Sequence, residues 1–78
     1  MARLVFLGRL EDVAGAAEMT VAGGPLSEVL AALPADLGFA LSGERIRIAY
    51  NGTLVSGNGG IVLGDRDEIA FLPPVSGG

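Results

Sequence analysis

The chain has 78 residues, half of them apolar and 18% charged, with nine acidic against five basic side chains for a formal charge of -4. That is one small domain's worth of chain, and it is too hydrophobic for a disordered tail. The basic residues are all arginine (Arg3, Arg9, Arg45, Arg47, Arg66), and there is no Cys, His, Lys or Trp.

These absences exclude several chemistries. Zinc has no thiolate or imidazole to bind, so no metal site is expected. No disulfide can form, and the usual general bases and activated thiols are missing. An acidic chain with scattered arginines is a poor ligand for nucleic acid. The longest apolar runs, 4–7 and 29–33, are far too short to span a bilayer. The start of the chain leads straight into a strand-like run and does not read as a signal peptide. The expectation is a cytoplasmic protein that binds neither nucleic acid nor membrane and works through a protein partner.

In chain order, Arg3 to Leu7 reads as a strand ended by Gly8, and 9–15 as a loop or single turn. Glu18 to Ala22 reads as a second strand, close enough to the first to make an antiparallel hairpin. Gly23 and Gly24 break the chain. Pro25 fits a first helical position, and Leu26, Val29, Leu30 and Leu33 follow as one helical stripe that Pro34 ends. Leu37, Phe39 and Leu41 read as an irregular stretch plugging the core. Arg45 to Tyr50 alternates strictly, and Asn51-Gly52 before Thr53-Leu54-Val55 is a strong hairpin signal. A glycine-rich loop at 57–60 and a polar turn at 64–67 lead to a last strand, Glu68 to Leu72. Pro73-Pro74 cannot continue a central ladder.

This order predicts an α+β protein of β-grasp (ubiquitin-like) architecture. A mixed sheet would carry one main helix across one face, with its first and last strands paired in parallel. The expected division is a domain over 1–72 and an extended tail over 73–78. Alternation puts Leu4, Phe6, Ile46, Ile48, Tyr50, Ile69 and Phe71 on the core side. Val5, Leu7, Arg45, Arg47, Ala49, Ala70 and Leu72 fall on the other side, where Leu54 can join them. Apolar residues left open on that side mark an interaction surface, the alternatives being a loop that covers them or ordinary scattered surface apolars.

Other features carry less. Asp65, Asp67 and Glu68 lack the spacing and number of a calcium loop and read as solvated turn residues. The 57–60 glycines lack the Lys-Ser/Thr and helix of a phosphate loop. The serines have no histidine to activate them. The tail differs. Pro73 and Pro74 stiffen an extended exit, six residues can reach about 20 Å, and Gly77 and Gly78 can enter a narrow channel. A frayed terminus is the bland alternative. The strand order, the stiff spacer and the lack of an internal nucleophile favour a functional tail.

The segments Tyr50-Asn51-Gly52-Thr53-Leu54-Val55, Gly64-Asp65-Arg66-Asp67-Glu68-Ile69-Ala70-Phe71 and Leu72-Pro73-Pro74-Val75-Ser76-Gly77-Gly78 resemble the small subunit of molybdopterin synthase, a ubiquitin-like sulfur carrier. Leu4-Val5-Phe6-Leu7-Gly8 and Val13-Ala14-Gly15 are also similar, so the likeness covers nearly the whole chain. Gly-Gly is common to sulfur carriers and ubiquitin, whereas the Leu-Pro-Pro-Val-Ser-Gly-Gly ending is typical of the molybdopterin branch. The glycine-rich loop is longer than that family's.

The resemblance implies a carrier with no bound cofactor, whose Gly78 carboxylate an ATP-dependent partner adenylates. A sulfur-donor protein would convert the adenylate to a thiocarboxylate. The large synthase subunit, as a heterotetramer with two carriers, would pass that sulfur to a pyranopterin precursor. By position, Gly78 bears the sulfur and Gly77 allows passage. Leu7, Leu54, Leu72, Pro73, Pro74, Val75 and Ser76 meet the partners, and Arg45 and Arg47 are either further polar contacts or solvated strand residues. Alternatives are carriage for transfer-RNA thiolation or thiamine synthesis, a ubiquitin-like modifier of other proteins, and a binding module with an idle tail. Pro73-Pro74 argues against the thiamine type.

Overall fold

A computed structural model describes residues 1–56 and 60–74. Chain order is β1 (Ala2–Phe6), α1 (Leu10–Ala14), β2 (Glu18–Val21), β3 (Gly24–Pro25), α2 (Leu26–Ala31), α3 (Ala35–Leu41), β4 (Arg47–Tyr50), β5 (Thr53–Val55), β6 (Val62–Leu63) and β7 (Glu68–Leu72). Five strands form a mixed sheet in the order β2-β1-β7-β4-β5, and β3 and β6 pair separately. The first and last of the five run parallel, with Leu4 opposite Ile69 and Phe6 opposite Phe71. The other pairs in that sheet are antiparallel. This is the β-grasp arrangement that the order of elements predicts.

Period-two alternation decides which residues enter the core. Leu4, Phe6, Ile48, Ile69 and Phe71 are buried, and the Phe6 and Phe71 rings stack with centroids 5.9 Å apart. Ile46 and Tyr50 pack half-buried at the margin. The helices close this face with Leu10, Leu26, Val29, Leu30, Leu37 and Leu41. No polar or charged residue is buried among the described residues, so burial there carries no desolvated charge.

The helical layer departs from the sequence reading in three ways. Pro25 is the N-cap of α2 (φ -57°, ψ 133°) and not its first helical residue. It also pairs with Val62 across the β3–β6 ribbon, while the Leu26 N–H donates to the Ile61 carbonyl at 2.9 Å. Second, α2 stops at Ala31 with Ala32 as its C-cap, so Leu33 lies beyond the helix whose stripe it was expected to close, and Pro34 caps a further helix. Its extended ψ of 143° turns the chain, and α3 begins at the next residue. The stretch read as irregular is therefore helical. Third, Phe39 does not plug the core. Leu37 and Leu41 stand one turn apart on the buried face, which rotates Phe39 outward, where it is 85% exposed. Of the loop or single turn expected at 9–15, the structure has the turn: the five-residue helix α1, which buries Leu10. Strand β4 starts at Arg47 and not Arg45, because the Ile46 N–H bonds the Gly43 carbonyl in a turn.

The hairpin signal at Asn51-Gly52 holds. Tyr50 pairs with Thr53, and both loop residues have positive φ (49° and 86°), the geometry whose twist matches the flanking strands. The expectation of a solvated turn residue at Asp67 fails: its side chain ties this hairpin to the β6–β7 turn. Its carboxylate accepts from the Gly64 N–H (2.8 Å), the Tyr50 hydroxyl (2.9 Å) and the Asn51 amide (3.1 Å). The Asn51 side-chain oxygen accepts from the Glu68 N–H at 2.8 Å. The Gly64 bond, then those from Asn51 and Tyr50, hold the Asp67 carboxyl below the usual aspartate range. A carboxyl whose pKa is lowered on folding adds stability above its unfolded value, and that stability is lost as pH falls through the folded value. The melting temperature is therefore expected to fall on acidification below about pH 4. In Asp67→Asn it should start lower and fall less steeply; parallel acid limbs for the two proteins would contradict this.

Candidate functional site: the open face of the sheet and the tail exit

Because helices cover one face, the residues of opposite parity lie on the other. Cross-strand pairing puts Leu54, Ala49, Ala70 and Val5 in one row across β5, β4, β7 and β1. One step toward the end of β7, Leu72 stands opposite Arg47, and the Leu7 N–H donates to the Phe71 carbonyl at 3.1 Å. Parallel pairing brings the C-terminal ends of β1 and β7 to the same edge, so Leu7 and Leu72 meet where the tail leaves. Leu7 is 41% and Leu54 61% exposed, while Leu72, Pro73 and Pro74 are half-buried. A groove of about 730 Å³ joins Leu54, Leu72, Pro73 and Pro74 to Arg45, Arg47 and the turn before β4. Among the described residues no loop covers Leu7 or Leu54.

The opposite end of this face is polar. Arg3 lies opposite Glu68, to which it is ion-paired, and it also reaches Glu18 at 3.8 Å. The face therefore runs from an ion-paired polar end to an apolar end bordered by Glu44, Arg45 and Arg47, and the tail starts at the apolar end. Among the described residues, Arg45 and Arg47 make no salt bridge within the chain.

Sequence reasoning missed Gly8. Its φ of +56° is left-handed, and a Cβ built on it would come 2.9 Å from Cγ of Pro73. The bare backbone of Gly8 thus seats the first proline of the exit. Nothing local betrays this, since the partner lies at the far end of the chain. Gly15 is a natural control, left-handed at +78° with nothing within 4 Å of its added Cβ. Gly8→Ala and Gly15→Ala should each lose about 1–2 kcal/mol from left-handed strain. Only Gly8→Ala should also weaken partner binding, because it displaces Pro73. Equal binding by the two variants in calorimetric titration would refute that role.

The remaining tail residues assigned to the site, Val75, Ser76, Gly77 and Gly78, lie outside the described residues, as do 57–59 of the glycine-rich loop. Among the described residues no cluster of three or more acidic, Cys or His side chains is placed to hold a metal, and no helix is long and apolar enough to cross a membrane.

Residues 4–78 match the ThiS family. No curated protein matches the chain. Two solved structures are similar over nearly their whole length. The solution structure of small archaeal modifier protein 1 from Methanosarcina acetivorans has a TM-score of 0.78 at 29% identity, covering 99% of this chain and 95% of that one. The crystal structure of the protein of the same name from Haloferax volcanii has a TM-score of 0.73 at 24% identity, covering 99% and 98%; at that identity it supports the fold alone.

Proposed function

The chain belongs to the ThiS family of ubiquitin-like sulfur carriers and modifiers, and from that premise we propose that it carries sulfur for molybdopterin synthesis. The observation that carries the reading is the coincidence of the exposed apolar end of the sheet with the start of the Leu72-Pro73-Pro74 exit. A partner gripping Leu7, Leu54 and Leu72 would receive the tail in a fixed direction. The Leu-Pro-Pro-Val-Ser-Gly-Gly ending favours the molybdopterin branch over the thiamine one.

In this reading the globule is chemically inert and Gly78 reacts. A carboxylate is a poor electrophile. A partner enzyme lets it attack the α-phosphorus of ATP, releasing pyrophosphate and forming an acyl-adenylate. Sulfide-level sulfur adds to the carbonyl carbon, AMP leaves with the bonding pair, and a thiocarboxylate remains; where a donor protein presents the sulfur as a persulfide, the acyl disulfide formed first is cleaved by a thiol reductant, which is itself oxidised to a disulfide. The large synthase subunit, with two carriers on a central dimer, takes the tail into its site. There the thiocarboxylate sulfur bonds to a carbon of a pyranopterin precursor, and water cleaves the resulting thioester, leaving sulfur on the precursor and returning the carboxylate. ATP is consumed by the activating partner; the carrier binds no cofactor. Both partners use one face, so their binding is mutually exclusive. Arg45 and Arg47 would meet acidic groups on them.

One observation favours a second reading: the solved structure similar at 29% identity is named a modifier protein. A modifier would use the same terminus but end in amide linkage to another protein. Intact-mass analysis separates the two. The carrier reading expects oxygen-for-sulfur exchange at Gly78 with activating enzyme, ATP and sulfur donor, then loss of that sulfur to the pterin precursor when large subunit is added. Conjugates on other proteins, with no transfer to the precursor, would support the modifier instead.

A further inference from the structure

Strand β2 is an outer edge of the five-stranded sheet, and its backbone polar groups divide between two sides. The Arg3 and Leu7 N–H groups donate to the Asp67 and Phe71 carbonyls on the β7 side, at 3.0 and 3.1 Å, while the Phe6 N–H donates to the Ala17 carbonyl at 2.8 Å. Even-numbered residues of β1 therefore serve β2, and their partners there are Met19 and Val21. Glu18 and Thr20 turn their N–H and C=O groups outward, and among the described residues these groups have no backbone partner. Such a row is a template for a further strand. No proline blunts it, and the Glu18 side chain is drawn aside to Arg3 on the open face, at 3.8 Å.

Beside this edge, on the helical side, a groove of about 390 Å³ is lined by Thr20, Val21, Pro25, Glu28, Val29 and Leu33 among others. A strand laid along β2 would set every second side chain over Val21, Val29 and Leu33, which fits apolar alternation. Charge narrows the occupant. Glu28 is the only charged side chain lining the groove, is exposed, and makes no salt bridge among the described residues. The Met1 amine at the same mouth is paired with Asp65 at 3.6 Å. The β2 of a second copy would bring Glu18 and no base to this edge. We propose that the β2 edge takes an added strand from a partner protein, an extended segment apolar at alternate residues that places a lysine or arginine beside Glu28. Backbone pairing to Glu18 and Thr20 holds the segment, and the groove selects its side chains. The groove opens beside Met1, at the end of β1 away from Leu7 and the tail exit, so such a partner can bind while the tail face is occupied.

The test is amide hydrogen exchange and chemical-shift mapping of the full chain with a short peptide of alternating valine and threonine flanked by lysines. In the free protein the Glu18 and Thr20 amides should exchange fast, and those of Met19 and Val21 slowly. The peptide should slow Glu18 and Thr20 about tenfold or more. Glutamate in place of lysine, or N-methylation of every peptide amide, should weaken binding about tenfold or more. Thr20→Pro removes an outward N–H and no bond to β1, so it should melt near the parent protein and lose the peptide. Glu28→Lys changes an exposed side chain and should also bind the lysine peptide about tenfold more weakly; this variant decides alone if Thr20→Pro unfolds. The proposal is overturned if the lysine peptide does not bind, if the N-methylated or glutamate peptide binds as well, if Glu28→Lys binds unchanged, or if Glu18 and Thr20 still exchange fast in the complex. It is also overturned if their protection rises with protein concentration in the absence of peptide, since the occupant is then a second copy.

Discussion

A chain lacking Gly78 is expected to lose sulfur loading and delivery while melting at the same temperature as the full-length protein. The two halves of this expectation rest on different observations. Stability resides in residues that end at Phe71, since the described core includes nothing beyond it. Reactivity, in the proposed cycle, resides in the carboxylate of Gly78. Removing that residue leaves a carboxylate on Gly77, about 3.5 Å further back along an extended chain. Misplacement of a reacting group by about 1 Å can already cost a hundredfold in rate, so a full residue should abolish turnover within the sensitivity of intact-mass analysis. A Gly78 carboxamide keeps the length but removes the ionised oxygen, and it should fail equally. Binding to either partner should change little, because Leu7, Leu54 and Leu72 remain. If the shortened chain still exchanges oxygen for sulfur, the terminal carboxylate is not the carrier group. If it unfolds, the separation of globule from tail is wrong.

How far the sequence could be read follows from the range of the interactions involved. The strands of the large sheet are legible because alternation is a local signal, and the Asn51-Gly52 turn is legible because both positions need positive φ. The open-face leucines follow from the same parity. The helical layer was harder. Pro34 reads equally as the end of a helix and as the cap of the next, and only Leu37 and Leu41 packing against the core decides between them. The β3–β6 ribbon is two residues long on each side, too short for any periodicity. Gly8 and Asp67 act on residues distant in sequence: Pro73 for one, Tyr50 and Asn51 for the other. Their roles exist only once the sheet has brought β1, β4 and β7 together.

Phe71 and Leu72 are neighbours in β7 with opposite tasks, and substituting each should give opposite results. Phe71 is fully buried, stacks on Phe6 and lies opposite Ile48 in the register. Truncating a core phenylalanine to alanine typically removes about 3–5 kcal/mol, and a domain of this size is stable by roughly 4–12 kcal/mol in all. Phe71→Ala should therefore lower the melting temperature by more than about 15 °C, and any lost binding would follow from unfolding. Leu72 faces the groove beside Arg47, Pro73 and Pro74. Leu72→Asp leaves the core untouched, and the new carboxylate can stay hydrated or meet Arg47 in the free protein. In a complex it would be buried against apolar surface without a partner, so affinity for both the activating enzyme and the large subunit should fall by a hundredfold or more, on the order of 3 kcal/mol. Melting curves and titrations on the two variants resolve the assignment. A well-folded Leu72→Asp that keeps its affinity for both partners would place the docking surface elsewhere. A stable Phe71→Ala would mean that the stacked pair is not the centre of the core.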